Sequence, residues 1–160
     1  GVLAVFKPNT IRKNESFETS FWALLEYLHT NDLQPWPSHV AQDPEDGDFE
    51  FCYNGMSLFT FANTPAYQNR QSRNLGESLV LVFVPATSFY GVKLLTEGGV
   101  AARKIIRKRV EEYDSIAHYP EFGADEGEIP LSWKSYFIPD ENVPMTGQCP
   151  FRVQGKSKGL

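Results

Sequence analysis

The sequence predicts an α+β domain: an antiparallel or mixed sheet of about four strands, packed by two main helices. Three observations carry this expectation. An Asn-Gly dipeptide joins two segments of alternating apolar residues at 49–62. A helix-period apolar stripe runs over 16–30. The chain shows no βαβαβ alternation and no G-x-G-x-x-G, which disfavours a nucleotide-binding α/β fold.

Val2-Leu3-Ala4-Val5-Phe6 reads as the first strand, stopped by Pro8. A buried strand usually follows a polar approach, so this abrupt opening predicts a trimmed chain and an exposed apolar edge at residues 2–6. Ser16 suits an N-cap, with Glu18 in the first turn. Phe17, Phe21, Leu24, Leu25 and Leu28 then fall on one face of a helix that ends at Asn31-Asp32. Residues 33–48 hold Pro35, Pro37 and Pro44 and four acidic residues, and are expected to be a solvated loop.

The hairpin is expected to turn at Asn54-Gly55. Phe49, Phe51 and Tyr53 share one face of its first arm, and Glu50 and Cys52 the other; Leu58, Thr60 and Ala62 oppose Phe59 and Phe61 on the return arm. Residues 63–77 are polar and irregular. The continuous apolar run Ser78–Val84 predicts a central strand, closed by Pro85. A second helix is expected from Gly98 to about Ile116, with Val100, Ile105, Ile106, Val110 and Tyr113 as a rough stripe and a basic remainder. One more short strand is expected at Trp133–Ile138, and a disordered basic tail at 152–160. Residues 1–151 form a single domain in this reading.

Composition narrows function. The 160 residues carry 15 basic and 20 acidic side chains, a net charge of −5, which argues against a nucleic-acid or anionic-membrane binder. No apolar run approaches the roughly 20 residues that span a bilayer. Aromatic residues make up 14%, enough for a core built from rings or a ring-lined pocket. Cys52 and Cys149 are far apart, so a disulfide framework is not expected and a reducing cytoplasmic setting is. His29, His39 and His118 show no zinc-site spacing.

The densest chemical cluster is 63–74. Arg70 and Arg73 stand i, i+3, so one helical turn would put both guanidinium groups on one side. With Asn63, Thr64 and Ser72 as further donors, they read as a clamp for an anionic group, or as surface arginines facing the acidic loop. His29 sits at the edge of the helical stripe, either as a buried core histidine or as a ligand.

Taken in order, SFETSFWALLEYLHTND, WPSHV, DPEDGDFEFCYNG, NTPAYQNRQSR, LVFVPATSF, IRKRVEEYD, WKSYFIPDEN and CPF resemble the YqcI/YcgG family, over roughly residues 1–151. The resemblance implies an N-terminal segment with a Pro-Cys motif before the first strand. Some members are haem proteins that hydroxylate a guanidino nitrogen of arginine-like substrates. The resemblance thus implies a haem-dependent N-oxygenase acting on an arginine-like small molecule; a non-catalytic domain binding a small anion or a protein partner is the alternative. The hydroxylase branch has His-Pro where this chain has Thr64-Pro65, and His where it has Ala86; the Asn63-Thr64-Pro65-Ala66 pattern is nearer the functionally unassigned branch. Were haem held, His29 is the first expected axial ligand and Cys149 the second, with Arg70 and Arg73 on its propionates or a substrate carboxylate. Asp43 and Asp46 would then face a cationic guanidinium, and Trp36, Phe49, Phe51, Phe59 and Phe61 would line the pocket. A homo-oligomer is compatible with these features.

Overall fold

The computed structural model describes residues 1–8, 16–89, 97–122 and 130–153. Strands β1 (Val2–Val5), β2 (Phe51–Tyr53), β3 (Met56–Asn63) and β4 (Val80–Pro85) form one antiparallel sheet in the order β1-β4-β3-β2. Helices α1 (Phe17–Thr30) and α2 (Glu97–Asp114) complete the α+β arrangement. The tail 154–160 lies outside the described residues.

Local chemistry explains these elements. Tyr53 pairs with Met56, so Asn54 and Gly55 are the two turn residues. Both have positive φ, 51° and 73°, as a type I′ turn requires. The first arm begins at Phe51 rather than Phe49, because Phe49 bridges Ala41 in parallel instead. Ser16 caps α1 by accepting a hydrogen bond from the Thr19 N–H at 3.0 Å. The apolar run at 80–85 is central, flanked by β1 and β3.

Cross-strand pairing sorts side chains into two faces. One carries Phe51, Leu58, Thr60, Ala62, Leu81 and Ala4, and α1 packs there. Phe21 and Leu25 of α1 and Phe51 of β2 are fully buried, each worth about 2 kcal/mol of apolar burial. The opposite face carries Phe59, Phe61, Asn63, Val82 and Val84, whose rings and valines are only partly buried. At its margin, edge strand β1 leaves Leu3 and Val5 61% and 66% exposed, and Val2 is 65% exposed on the other side.

Two expectations need correction. Residues 133–138 are not a strand; Ser132–Ser135 form a 3₁₀ turn. The reason is spacing. Trp133 and Tyr136 are both 1% exposed, and a 3₁₀ turn puts i and i+3 on one side, where a strand would split them. Beyond the turn, the Tyr136 carbonyl accepts from the Ala62 N–H at 3.0 Å, lying along β3 where β2 has ended. Helix α2 ends at Asp114 rather than Ile116, and Ser115 has φ 58°. Its expected stripe is not a buried one: Ile105, Ile106 and Tyr113 are half or more exposed, and only Gly99 and Asp114 are buried. The helix is fixed by polar contacts near its C-terminus instead. Asp114 holds Ser72, Arg107 donates to the Phe122 carbonyl, and Glu111 holds His118.

The phenol of Tyr136 accepts the Phe51 N–H at 3.0 Å inside the core. Removing it leaves a buried donor without a partner. Tyr136→Phe is expected to lower unfolding stability by ~2 kcal/mol in urea titrations. A loss under ~0.5 kcal/mol would show that the hydroxyl is not what docks this segment.

Candidate ligand site

Segment 63–74 is positioned by its neighbours on both sides. The Thr64 N–H donates to the Arg73 carbonyl at 3.0 Å, closing the segment on itself. The Thr64 hydroxyl accepts from the Ala66 N–H. Asp140 caps the turn at 68–70: its carboxylate accepts from the backbone N–H groups of Gln68, Asn69 and Arg70 and from the Asn69 side chain, at 2.9–3.2 Å. The Tyr67 phenol donates to the Ile138 carbonyl at 2.7 Å, and burial pushes its pKa up to about 12.

The two arginines part company here. Arg70 is 1% exposed. Its Nε donates to the Pro139 carbonyl at 2.7 Å, and its Nη2 to Asn142 Oδ1 at 3.1 Å and the Glu141 carbonyl at 3.4 Å. It also stands 5.7 Å from the Tyr119 ring centroid. Arg73 closes a 3₁₀ turn, Gln71–Arg73, whose N-cap is Arg70 with φ −102° and ψ 71°. That non-helical backbone breaks the i, i+3 alignment, so the side chains diverge. Arg73 lies over Phe61, its Cζ 4.3 Å from the ring centroid, on the partly covered face of the sheet.

Arg73 is therefore the donor set of this segment that remains open. It is partly buried, and among the described residues its guanidinium makes no hydrogen bond or ion pair. Burial, helped by Arg70, pulls its pKa down to about 10, while Tyr67 and Asp114 push the other way. Asp114 is occupied: its oxygens accept from the Ser72 N–H at 2.6 Å and the Ser72 hydroxyl at 2.7 Å. Asn63, two residues along β3 from Phe61 and on the same face, is 2% exposed, and its Nδ2 has no hydrogen-bond partner among the described residues.

The five rings expected around one pocket lie on different faces. Phe59 and Phe61 share the Arg73 face, where Phe59 also meets Phe89 at 5.2 Å. Trp36, Phe49 and Phe51 join Phe151 on the α1 side, with centroids 5.4–6.3 Å apart. His29 belongs to that second cluster, edge-on to Trp36 and Phe151 at 5.5 Å each. Asp43 and Asp46 sit in the exposed loop, where each accepts a backbone N–H two residues on. Asp140, Asp114 and Tyr67 were not singled out from the sequence. Only the turn-like Pro139-Asp140-Glu141-Asn142 hinted at a capping carboxylate.

Haem does not fit at His29 or Cys149 in this structure. A haem pocket would leave the ligating side chain bare where the macrocycle belongs, but His29 is 5% exposed and Cys149 1%. Burial also pushes the Cys149 thiol up to about 12, away from the thiolate a metal needs.

The pattern of the YqcI/YcgG family matches residues 1–152. The chain belongs to that family. YqcI of Bacillus subtilis (strain 168), an uncharacterized protein, is 35% identical over 139 residues, 87% of this chain and 54% of the relative. YcgG of the same organism, also uncharacterized, is 33% identical over 137 residues, 86% and 53% of the two chains. A Streptomyces lavendulae protein named "Putative N(omega)-hydroxy-L-arginine synthase DcsA" is 33% identical over 156 residues, 96% of this chain and 58% of that one. The chain thus spans somewhat over half the length of these relatives. No solved structure matches it. No helix among the described residues is long and apolar enough to cross a membrane.

Arg70 and Arg73 should separate in stability measurements. Arg70→Met removes the three hydrogen bonds that a buried guanidinium makes to 139–142 and is expected to cost about 3 kcal/mol, whereas Arg73→Gln loses a ring contact worth about 1 kcal/mol or less. Urea unfolding of both variants checks this, and equal losses would contradict it.

The cysteines predict a pH dependence. Burial pushes both Cys52 and Cys149 from 9.0 up to about 12. Between these values the folded chain binds more protons than the unfolded one, so stability falls as pH rises. Arg73, held at about 10, acts in the opposite sense only from there upward. Melting temperature is expected to fall from about pH 8 to about pH 10, and to fall less in the double variant Cys52→Ser, Cys149→Ser. Identical slopes would reject the assignment.

Proposed function

We propose that this chain is the substrate-recognising part of an oxygenase that hydroxylates a guanidino nitrogen of an arginine-like small molecule. The supporting observation is Arg73, an open guanidinium on an apolar sheet face, in a chain 33% identical over 96% of its length to the protein named for N(omega)-hydroxy-L-arginine synthesis. N-hydroxylation converts N–H to N–O–H. With dioxygen as oxidant, a two-electron donor and two protons carry the second oxygen atom to water. The haem that the family resemblance implies has no place at His29 or Cys149, so this reading rests on ligand recognition and takes no step through haem. Free, buried Cys52 and Cys149 suit a reducing cytoplasmic setting.

A second reading is a non-catalytic domain that binds a small anion. Arg73 favours it equally, since its donors serve an anion whether or not chemistry follows.

Turnover separates the two. Full-length protein supplied with hemin, a reductant, dioxygen and L-arginine is expected to yield a product heavier by one oxygen atom, detected by mass spectrometry. A hemin-independent protein that binds L-arginine without converting it would replace the first reading with the second.

A further inference from the structure

We propose that Arg73 and Asn63 form a carboxylate subsite, so that the open sheet face holds the carboxylate end of the ligand rather than its guanidino end. The inference rests on the reading above that this face receives an arginine-like molecule.

Charge sign comes first. Arg73 is a cation partly withdrawn from water, and a second guanidinium beside it would meet repulsion in a poorly screened setting. A carboxylate would meet attraction and a planar set of N–H donors matched to its two oxygens. Placement comes next. Phe61 holds the guanidinium over its ring, Cζ 4.3 Å from the centroid, which anchors it on the sheet face a carboxylate would approach. The other charges nearby do not compete. Arg70 is turned away into 139–142, and Asp114 is held by Ser72.

Asn63 is the independent observation. Among the described residues its Nδ2 is a buried donor lacking an acceptor, a state that costs free energy unless a partner arrives. It lies one side-chain repeat along β3 from Phe61, and the Thr64–Arg73 backbone bond ties that strand end to the arginine. Two donor groups, one charged and one neutral, thus stand together on one face, and the missing partner is an acceptor. Partly buried Val82 and Val84 continue the same face as an apolar floor for methylene groups. A ligand with a carboxylate and an aliphatic stem fits this sequence of surfaces.

The test uses three probes on full-length protein: L-arginine, agmatine (arginine without its carboxylate) and norvaline (an amino acid without the guanidino group). Binding is followed by calorimetry and by the Arg73 side-chain NMR signal. L-arginine and norvaline are expected to bind and shift that signal, and L-arginine to bind about tenfold or more tighter than agmatine. Arg73→Gln should remove most of that preference, and Asn63→Ala should reduce it. Equal affinity for L-arginine and agmatine, or an Arg73 signal unmoved by both amino acids, overturns the proposal. The wild-type comparison decides even where a variant fails to fold. Failure to make an N-hydroxy product, with the carboxylate preference intact, would remove the oxygenase reading and leave this subsite standing.

Discussion

The crossed clamp between Arg70 and Asp140 is the interaction on which the site depends. A guanidinium at 1% exposure needs its nitrogens satisfied, because a charge taken from water without partners is costly. Arg70 meets that need on the backbone of Pro139 and Glu141 and the side chain of Asn142. Asp140, from the loop Arg70 grips, returns the contact by capping the turn at 68–70. Each loop therefore supplies the charge that fixes the other. Segment 63–74 has little regular structure of its own, and this clamp joins the Thr64–Arg73 and Ser72–Asp114 bonds in holding Arg73 over Phe61.

Burial then determines where a ligand can come. The α1 face of the sheet is closed by its own apolar side chains: Leu25 and the rings of Phe21, Phe49, Phe51 and Phe151 are at most 2% exposed. His29 and Cys149 are members of that packing, and a ring-filled interior has native density with no room for a macrocycle. The other face is thinly covered by the described residues. There Phe59, Phe61, Val82 and Val84 stay partly accessible, and there the open guanidinium lies. The sheet thus divides labour, one side for cohesion and one for contact.

Much of the fold was legible because it follows from short-range rules. Asn54-Gly55 specifies a left-handed two-residue turn; Ser16 offers an oxygen to the first turn of α1; the run at 80–85 is too apolar for an edge. What escaped was set by long-range partners. Trp133–Ile138 has the composition of a strand, yet two core rings three residues apart required a 3₁₀ turn. Helix α2 shows an amphipathic pattern, but Asp114, Arg107 and Glu111 hold it through polar contacts, so the pattern did not forecast burial. The pairing of Arg70 and Arg73 assumed one turn of regular helix. Their spacing was visible, whereas Arg70's dihedral angles answer to Asp140, 70 residues away in the chain.

The same logic explains why one arginine supports the scaffold and its neighbour lies over a ring without a hydrogen-bond partner among the described residues. Burial first, and the Arg70 charge after it, hold the Arg73 pKa down. Two uncompensated guanidinium groups at this spacing would strain the segment. Arg70 is compensated by fixed carbonyl and amide dipoles from 139–142, which leave it no further role in exchangeable binding. Arg73 receives a ring face and the electrostatic help of Tyr67 and Asp114. Its compensation is incomplete within the described chain, and the orphan amide of Asn63 on the same face is incomplete in the same sense. A group deficit shared by two adjacent donors is what an acceptor ligand would correct, and the clamp beneath them makes the arrangement rigid enough to be selective.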